Sequence, residues 1–513
     1  MGKGSSKHSF GKVNSRLTRL PMGLSVRGVG SDHELRMQGV QIMNQPTAFQ
    51  VDTRAALNGL LTSLKQEHWQ DSADLRLTGE EPPVATVHRL AAASASVISA
   101  IALGVSQRWL DAGKERQVIC IDALQSLCGL CPLTFQRQSG HAVPLRLDVA
   151  RELRAGFYQT SDKKWFFIAG AYSHLRDKTL ALLNCPNTVE AITSAISLRK
   201  AAELEETFAQ HGATGVIART RDEWEKHPQG KVLLSTPLIE VEKIGDGPPE
   251  SPCPISRPLD DLRVLDASHV IAGPIIARSL GEHGAEVLRI SHPAHPDSVL
   301  QIMDTGLGKR NAYIDLVDPR DLATFKSLVR RADVLVQSWR PGSMKRHGLD
   351  AESAAGLRPG IVYVSVSAFG FEGPWGTRKG FDPLAQAVSG IALSEAVQGK
   401  PRLAPTHLLN DYLAAYLGAL GALVGLSRRA TEGGSYHIKV SLTRTSMWVQ
   451  DLGLRAPPDK PVAVEDLKPV LRSRSSAFGI LEQMDPVAWM STTPPHWALP
   501  PAPLGSSVAS WLT

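Results

Sequence analysis

Residues 413–426, LAAYLGALGALVGL, are small or apolar on every face. A helix of that kind has no side to offer to water and belongs at the centre of a protein. The run falls short of the ~20 residues that a membrane-spanning helix needs, so the chain itself must surround it. Asn410-Asp411 stand before it, Arg428-Arg429 close it, Gly433-Gly434 turn the chain, and YHIKVSL follows with the alternation of a buried strand. The order is that of an acid-capped helix with a basic end, a tight turn and a strand. Asp411 has a bland reading, that of a helix cap. It has a chemical one too: at a helix start, outward backbone N–H groups and the partial positive charge keep a carboxylate ionised and stabilise an oxyanion formed beside it. Asp411 is therefore the candidate nucleophile.

The same plan occurs earlier. Residues 88–130 contain a small-residue helix, Gly104 and Arg108 at the spacing of Gly425 and Arg429, a Gly turn, and QVICI where the later segment has HIKVS. The two copies lie about 320 residues apart and mark an internal repeat. Where the later copy has Asn410-Asp411 the earlier has Arg89-Leu90, which packs but supplies no carboxylate. One catalytic carboxylate per chain is expected.

Between the copies the pattern changes twice. Residues 150–245 interleave charged and aromatic residues without catalytic spacing, in the manner of a small α+β domain, and a Pro-rich linker covers 246–258. From residue 259 to 455 strands alternate with helices, with strands at 262–267, 285–290, 312–316, 334–337 and 361–367 and helices near 320–331 and 383–394. That alternation implies a Rossmann-like open parallel sheet, with ligands bound beyond the carboxyl ends of the strands. The loops at those ends, 268–274, 338–348 and 368–382, carry glycines together with Arg340, Lys345, Arg346, Arg378 and Lys379, which suits a phosphorylated ligand. The expected organisation is a flexible basic tail over 1–35, a partial large-domain repeat over 36–149, the small domain, the linker, the α/β domain over 259–455 and an extended arm over 456–513.

Six cations precede the first acid, Asp32, and account for the whole net charge of +6. The body of the chain is thus formally neutral and gives no support for a basic groove that binds nucleic acid. The acid-free, Ser-rich tract that holds them has the composition of a disordered tail or a mitochondrial transit peptide. Five cysteines, an odd number spread widely, fit reduced thiols in the cytoplasm, and Cys128-Gly-Leu-Cys131 lacks the second pair of a zinc site. His292 and His295 have no further ligand at metal spacing, and no GxxxxGK[ST], GxGxxG or GxSxG motif is present.

Six stretches in order, LDDLRVLDASHVIAGPIIARSLGEHGAEVLRI, GKRNAYIDL, ADVLVQSWRPGSMKRHGL, RPGIVYVSVSAFGFEGPW, GFDPLAQAVSG and NDYLAAYLGALGAL with GGSYHIKVSL, resemble the class III CoA-transferases. Residues 88–245 resemble the later part of the same fold, so the halves stand in rearranged order. The resemblance implies transfer of CoA from an acyl-CoA to a carboxylic acid through an aspartyl-CoA thioester on Asp411, with coenzyme A as part of the substrate, no metal and no tightly bound cofactor. It assigns CoA contacts to His269, Val270, Ala272, Ser338, Trp339, Arg346 and Lys379; read alone, Trp339 fits the core as well, and Arg346 and Lys379 fit solvated surface charges. The partners implied are the acyl-CoA and the acid, with no nucleic acid and no membrane, in a homodimer. A monomer in which residues 88–245 imitate the partner is the alternative. Two departures stand out: Ser291-His292 replace an acid followed by Arg, and no Gly run shields the site from within the small domain. A 2-methylacyl-CoA racemase is disfavoured, because Phe381 stands where those enzymes have their His. A non-catalytic CoA-binding scaffold is the third reading.

Overall fold

The computed structural model describes, beyond Met1, residues 45–143, 153–170 and 172–512; the expected tail over 1–35 lies outside them. The apolar runs of the α/β segment become six parallel strands in the spatial order Lys309–Tyr313, Glu286–Ser291, Arg263–Asp266, Val334–Gln337, Val362–Ser367, Ser435–Ser441. Counted along the chain this is 3-2-1-4-5-6, the doubly wound order, whose reversal between Arg263–Asp266 and Val334–Gln337 opens a crevice at the strand ends.

Several boundaries shift. The strand expected over 312–316 begins at Lys309, because hydropathy hides a lysine that is fully buried against Asp266 at 2.7 Å. The helix expected over 383–394 breaks at Gly390, whose φ of +106° ends Asp382–Ser389 before Ile391–Ser394 begins; a Cβ there would lie 2.6 Å from the backbone N of Arg221. Glu240–Gly245, assigned from sequence to the small domain, pairs antiparallel with Ser435–Ser441 as the seventh strand of the large sheet. That sheet edge requires partners for its N–H and C=O groups, and the strand supplies them.

The repeat extends further than its sequence suggests. In the later copy Val362–Ser367 pairs parallel with Ser435–Ser441, the Leu409–Glu432 helix crosses over between them, and Ser441 caps Leu442–Asp451 through the N–H of Arg444. In the earlier copy Ala73–Thr78 pairs parallel with Gln117–Asp122, the Leu90–Asp111 helix crosses over, and Asp122 caps Ala123–Cys128 through the N–H of Gln125. Arg429 meets Asp333 at 2.9 Å and Arg108 meets Asp261 at 2.6 Å, so both helices end in a buried arginine held by an aspartate. The two long helices pack on each other; their apolar windows are 94% and 100% buried inside the protein.

The small domain is a three-stranded antiparallel sheet, Gly156–Gln159, Trp165–Ile168 and Gly215–Ile217, under the helices Ser173–Leu183, Val189–Ser197 and Ala201–Gln210. Its own core contains Phe166, Ile192, Ile196, Leu204 and Phe208. A second apolar cluster, with Phe167, Val216, Trp224 and Leu233 on one side and Phe369, Trp375, Leu384 and Val388 on the other, docks it on the loop that leads to Asp382.

The arm over 456–513 is only partly extended. It folds a hairpin, Leu471–Ser476 with Gly479–Met484, and adds Ala488–Met490 to the earlier copy's sheet. Its last residues run along Lys309–Tyr313, where the Ser507 N–H donates to the Asn311 carbonyl at 2.7 Å, and Trp511 inserts beside Phe325 and Leu328. Cys128 and Cys131 lie in the main core, and burial pushes the Cys128 thiol up to about 12.

The fit of the earlier helix depends on Gly104, where a Cβ would stand 2.5 Å from the Trp69 ring. Gly104→Ala is expected to lower stability by about 1–3 kcal/mol, the usual range for overpacking. Gly59→Ala, on the exposed side of Ala48–Leu64 with open space around it, should be neutral or slightly stabilising. Urea unfolding of the two variants checks the difference.

Candidate active site

The crevice at the strand reversal is built by the two loops that leave Arg263–Asp266 and Val334–Gln337. The His269 N–H donates to Ser338 Oγ at 3.1 Å, and Ser338 Oγ–H donates back to the His269 carbonyl at 3.3 Å. The Trp339 indole N–H donates to the Ala267 carbonyl at 2.7 Å, and its ring receives the His269 ring edge-on with centroids 4.4 Å apart. Trp339 is half-buried and packs against the core cluster that contains Leu265 and Leu335, so it stands at the border of core and crevice. Val270 adopts φ +65°, a conformation that costs a β-branched residue about 1–3 kcal/mol and clusters at functional sites. Its N–H is held by Asp297 Oδ1 at 3.2 Å. Burial pulls the His269 pKa down, and its Nδ1 is buried without a partner among the described residues.

Ala272 begins the Ala272–Gly281 helix with its methyl in the main core, which leaves only its backbone for a ligand. Arg346 lies in the short 3-10 turn Lys345–His347, exposed and without a side-chain partner among the described residues. Lys379 is half-buried and donates to the Gly212 carbonyl of the small domain at 3.1 Å.

Asp411 lies where the sequence placed it, in the first turn of the central helix, but it is not the cap. The N-cap is Leu408, which makes no side-chain cap, and the capping acid comes from another helix. One oxygen of Asp382 accepts the backbone N–H groups of Asn410 and Asp411, the latter at 2.9 Å. Gln386 donates to its other oxygen, and is itself fixed by the Ala404 N–H at 2.8 Å and the His407 carbonyl at 2.9 Å. Two amides expected to stabilise charge on a substrate are therefore already engaged. Sequence reading overlooked this role of Asp382, although Pro383 directly after an acid marks a helix start. The earlier copy repeats the device: Glu81 accepts the Ala91 N–H at 2.9 Å, while Arg89 pairs with Asp52.

Asp411 is 7% exposed, and no donor among the described residues reaches its carboxylate. Burial, with the charge of Asp382 added, pushes its pKa well up; burial pushes Asp382 up to about 7 against its hydrogen bonds. The expectation of a carboxylate kept ionised by the helix start is thus corrected: in the free protein desolvation and a neighbouring acid outweigh the helix field, and the pair favours holding a proton. Phe381, directly before Asp382, packs into the small-domain interface.

With this geometry in view, residues 259–476 match a known family model: CoA-transferase family III. Over 325 residues the chain is 30% identical to the acetyl-coenzyme A transferase nodX of Hypoxylon pulicicidum, covering 58% of this chain and 54% of that protein. It is 31% identical to the succinyl-CoA–L-malate CoA-transferase alpha subunit of Chloroflexus aurantiacus, covering 46% and 53%. The succinyl-CoA:glutarate CoA-transferase of Mus musculus is 30% identical, over 38% and 48%. The chain spans about half the length of the curated relatives it matches. Among solved structures, a CAIB/BAIF family protein from Brucella suis aligns with TM-score 0.36 and 25% identity, over 38% of this chain and 56% of that one.

An acid whose pKa is raised on folding stabilises the fold at low pH and loses that contribution as pH climbs from the unfolded value near 4 through the folded one. Asp411→Asn removes the like charge and cannot ionise. It is therefore expected to stabilise the protein at pH 7.5 and by much less at pH 5, because burial and the charge of Asp382 push the Asp411 pKa up. Urea midpoints of both proteins at the two pH values provide the check.

Proposed function

We propose that the chain moves CoA from an acyl-CoA thioester to a carboxylic acid, with Asp411 as the covalent nucleophile. The observation that carries this reading is Asp411 itself: a carboxylate without hydrogen-bond partners among the described residues, at the start of a buried helix, inside the segment that matches CoA-transferase family III. In the first step an Asp411 oxygen attacks the thioester carbonyl, the C–S bond breaks, and a mixed anhydride and CoA thiolate form. The thiolate then attacks the aspartyl carbonyl, giving the aspartyl-CoA thioester and releasing the donor acid. The acceptor carboxylate attacks that thioester in turn, and the returning thiolate takes the new acyl group. Each step exchanges one bond at a carbonyl and needs no proton, so the reactive form is the Asp411 carboxylate. Asp382 fixes the first turn of the helix, and with it the line along which the Asp411 side chain projects. His269, Ser338 and Trp339 are read as the wall against which the CoA chain lies, with Lys379 and Arg346 toward its phosphates. The assembly is proposed as a homodimer; a mass in solution equal to one chain would assign the partner's place to the Leu90–Asp111 helix.

Incubation with acyl-CoA and hydroxylamine should convert Asp411 into a hydroxamate detectable by peptide mapping. Asp411→Ala should abolish both trapping and CoA exchange, and exchange surviving in that variant would sink the mechanism. The rate should fall as pH drops below the pKa of the acid pair, and Asp382→Asn, which removes the neighbouring charge, should move that limb to lower pH. A uniform loss of rate with an unmoved limb would reduce Asp382 to a purely structural cap.

A further inference from the structure

The small domain carries no residue assigned to ligand binding, yet one of its helices faces the crevice with positive charge. Lys178 and His174 lie on Ser173–Leu183. The Nζ atoms of Lys379 and Lys178 stand 3.4 and 3.8 Å from where a Cβ on Gly212 would be, so two ammonium groups from different domains converge on one point. Lys379 donates to the Gly212 carbonyl; the side chains of Lys178 and Arg340 make no hydrogen bond or ion pair among the described residues. Asp177, the acid beside His174 on the same helix, is already paired with Arg176 at 2.6 Å. Cations held together with no counterion among the described residues repel one another, and contacts elsewhere pin the two domains against that repulsion.

The pinning is visible. Tyr172 stacks on His174 with centroids 5.8 Å apart, and its hydroxyl donates to Asp297 at 3.0 Å, the same carboxylate that holds the Val270 N–H. The start of the cationic helix is therefore tied to the crevice loop. Opposite, His292 and His295 stack at 4.9 Å just past the end of Glu286–Ser291, where the chain departs from the acid-then-Arg pattern. Burial and the charges of Arg340 and Lys178 lower the pKa of Lys379. Burial and the charges of Lys379, Lys178 and His295 lower that of His174. Both directions follow first from burial and then from the neighbouring cations.

We infer that Lys178 and His174 of the small domain, with Lys379 and Arg340 of the large one, form a clamp for a phosphorylated ligand end, and that this end is the phosphates of CoA. The assignment to CoA rests on the proposed function; the clamp makes the small domain a direct contributor to affinity. The test is calorimetric titration of the full chain with CoA and with pantetheine, which lacks the phosphates. Lys178 is exposed, so its replacement leaves the fold intact. Lys178→Ala should weaken CoA about five- to tenfold, and Lys178→Glu more, the scale of one charge-assisted contact. Pantetheine binding should be unchanged, and the salt dependence of CoA binding should become shallower in both variants. CoA binding to both variants as to the wild type overturns the clamp while leaving the proposed function standing, as does an equal loss for pantetheine. A wild-type chain that fails to bind CoA overturns both.

Discussion

A single carboxylate oxygen that accepts two backbone amides sets the geometry on which the rest depends. Asp382 belongs to one helix and the amides of Asn410 and Asp411 to another, so the bond fixes where the central helix begins relative to the loop docked on the small domain. A full charge accepting such bonds is worth about twice a neutral contact, and burial raises the cost of losing it. The same bond brings two acids together. Function and stability conflict here: burial beside Asp382 favours Asp411 neutral, and the proposed chemistry needs Asp411 charged.

The earlier copy shows which part of this arrangement the fold requires. Glu81 caps the Leu90–Asp111 helix as Asp382 caps its counterpart, and Arg108 closes it as Arg429 does the other. What is missing is an acid at the position of Asp411, where the earlier copy has Leu90. The capping carboxylate is thus explained by the architecture alone, whereas Asp411 is not.

Much of this was legible in the sequence. Periodicity located all six parallel strands to within a few residues, and the all-apolar run identified the helix that lies at the centre. The capping partner was not legible, because Asp382 and Asp411 are far apart in sequence and meet only through tertiary packing. Lys309 was lost for a related reason: a buried ion pair reads as polarity, and polarity reads as surface. Glu240–Gly245 was placed in the wrong domain because the strand that completes a sheet need not come from the segment that builds it. The crevice residues His269, Ser338 and Trp339 were found by resemblance. Lys178 and His174 have no spacing that marks them, since their neighbours come from another domain.

The C-terminal strap has one more consequence. Lys309–Tyr313 is the outer strand of the large sheet, and an uncovered outer strand is a template on which another chain can add. Residues 507–511 occupy part of that template, with a main-chain hydrogen bond to Asn311 and Trp511 as an apolar anchor. Lifting the strap by proteolysis would leave Asp411 untouched while opening the sheet to edge-to-edge association. Protection of that sheet edge thereby rests on residues far along the chain from Asp411.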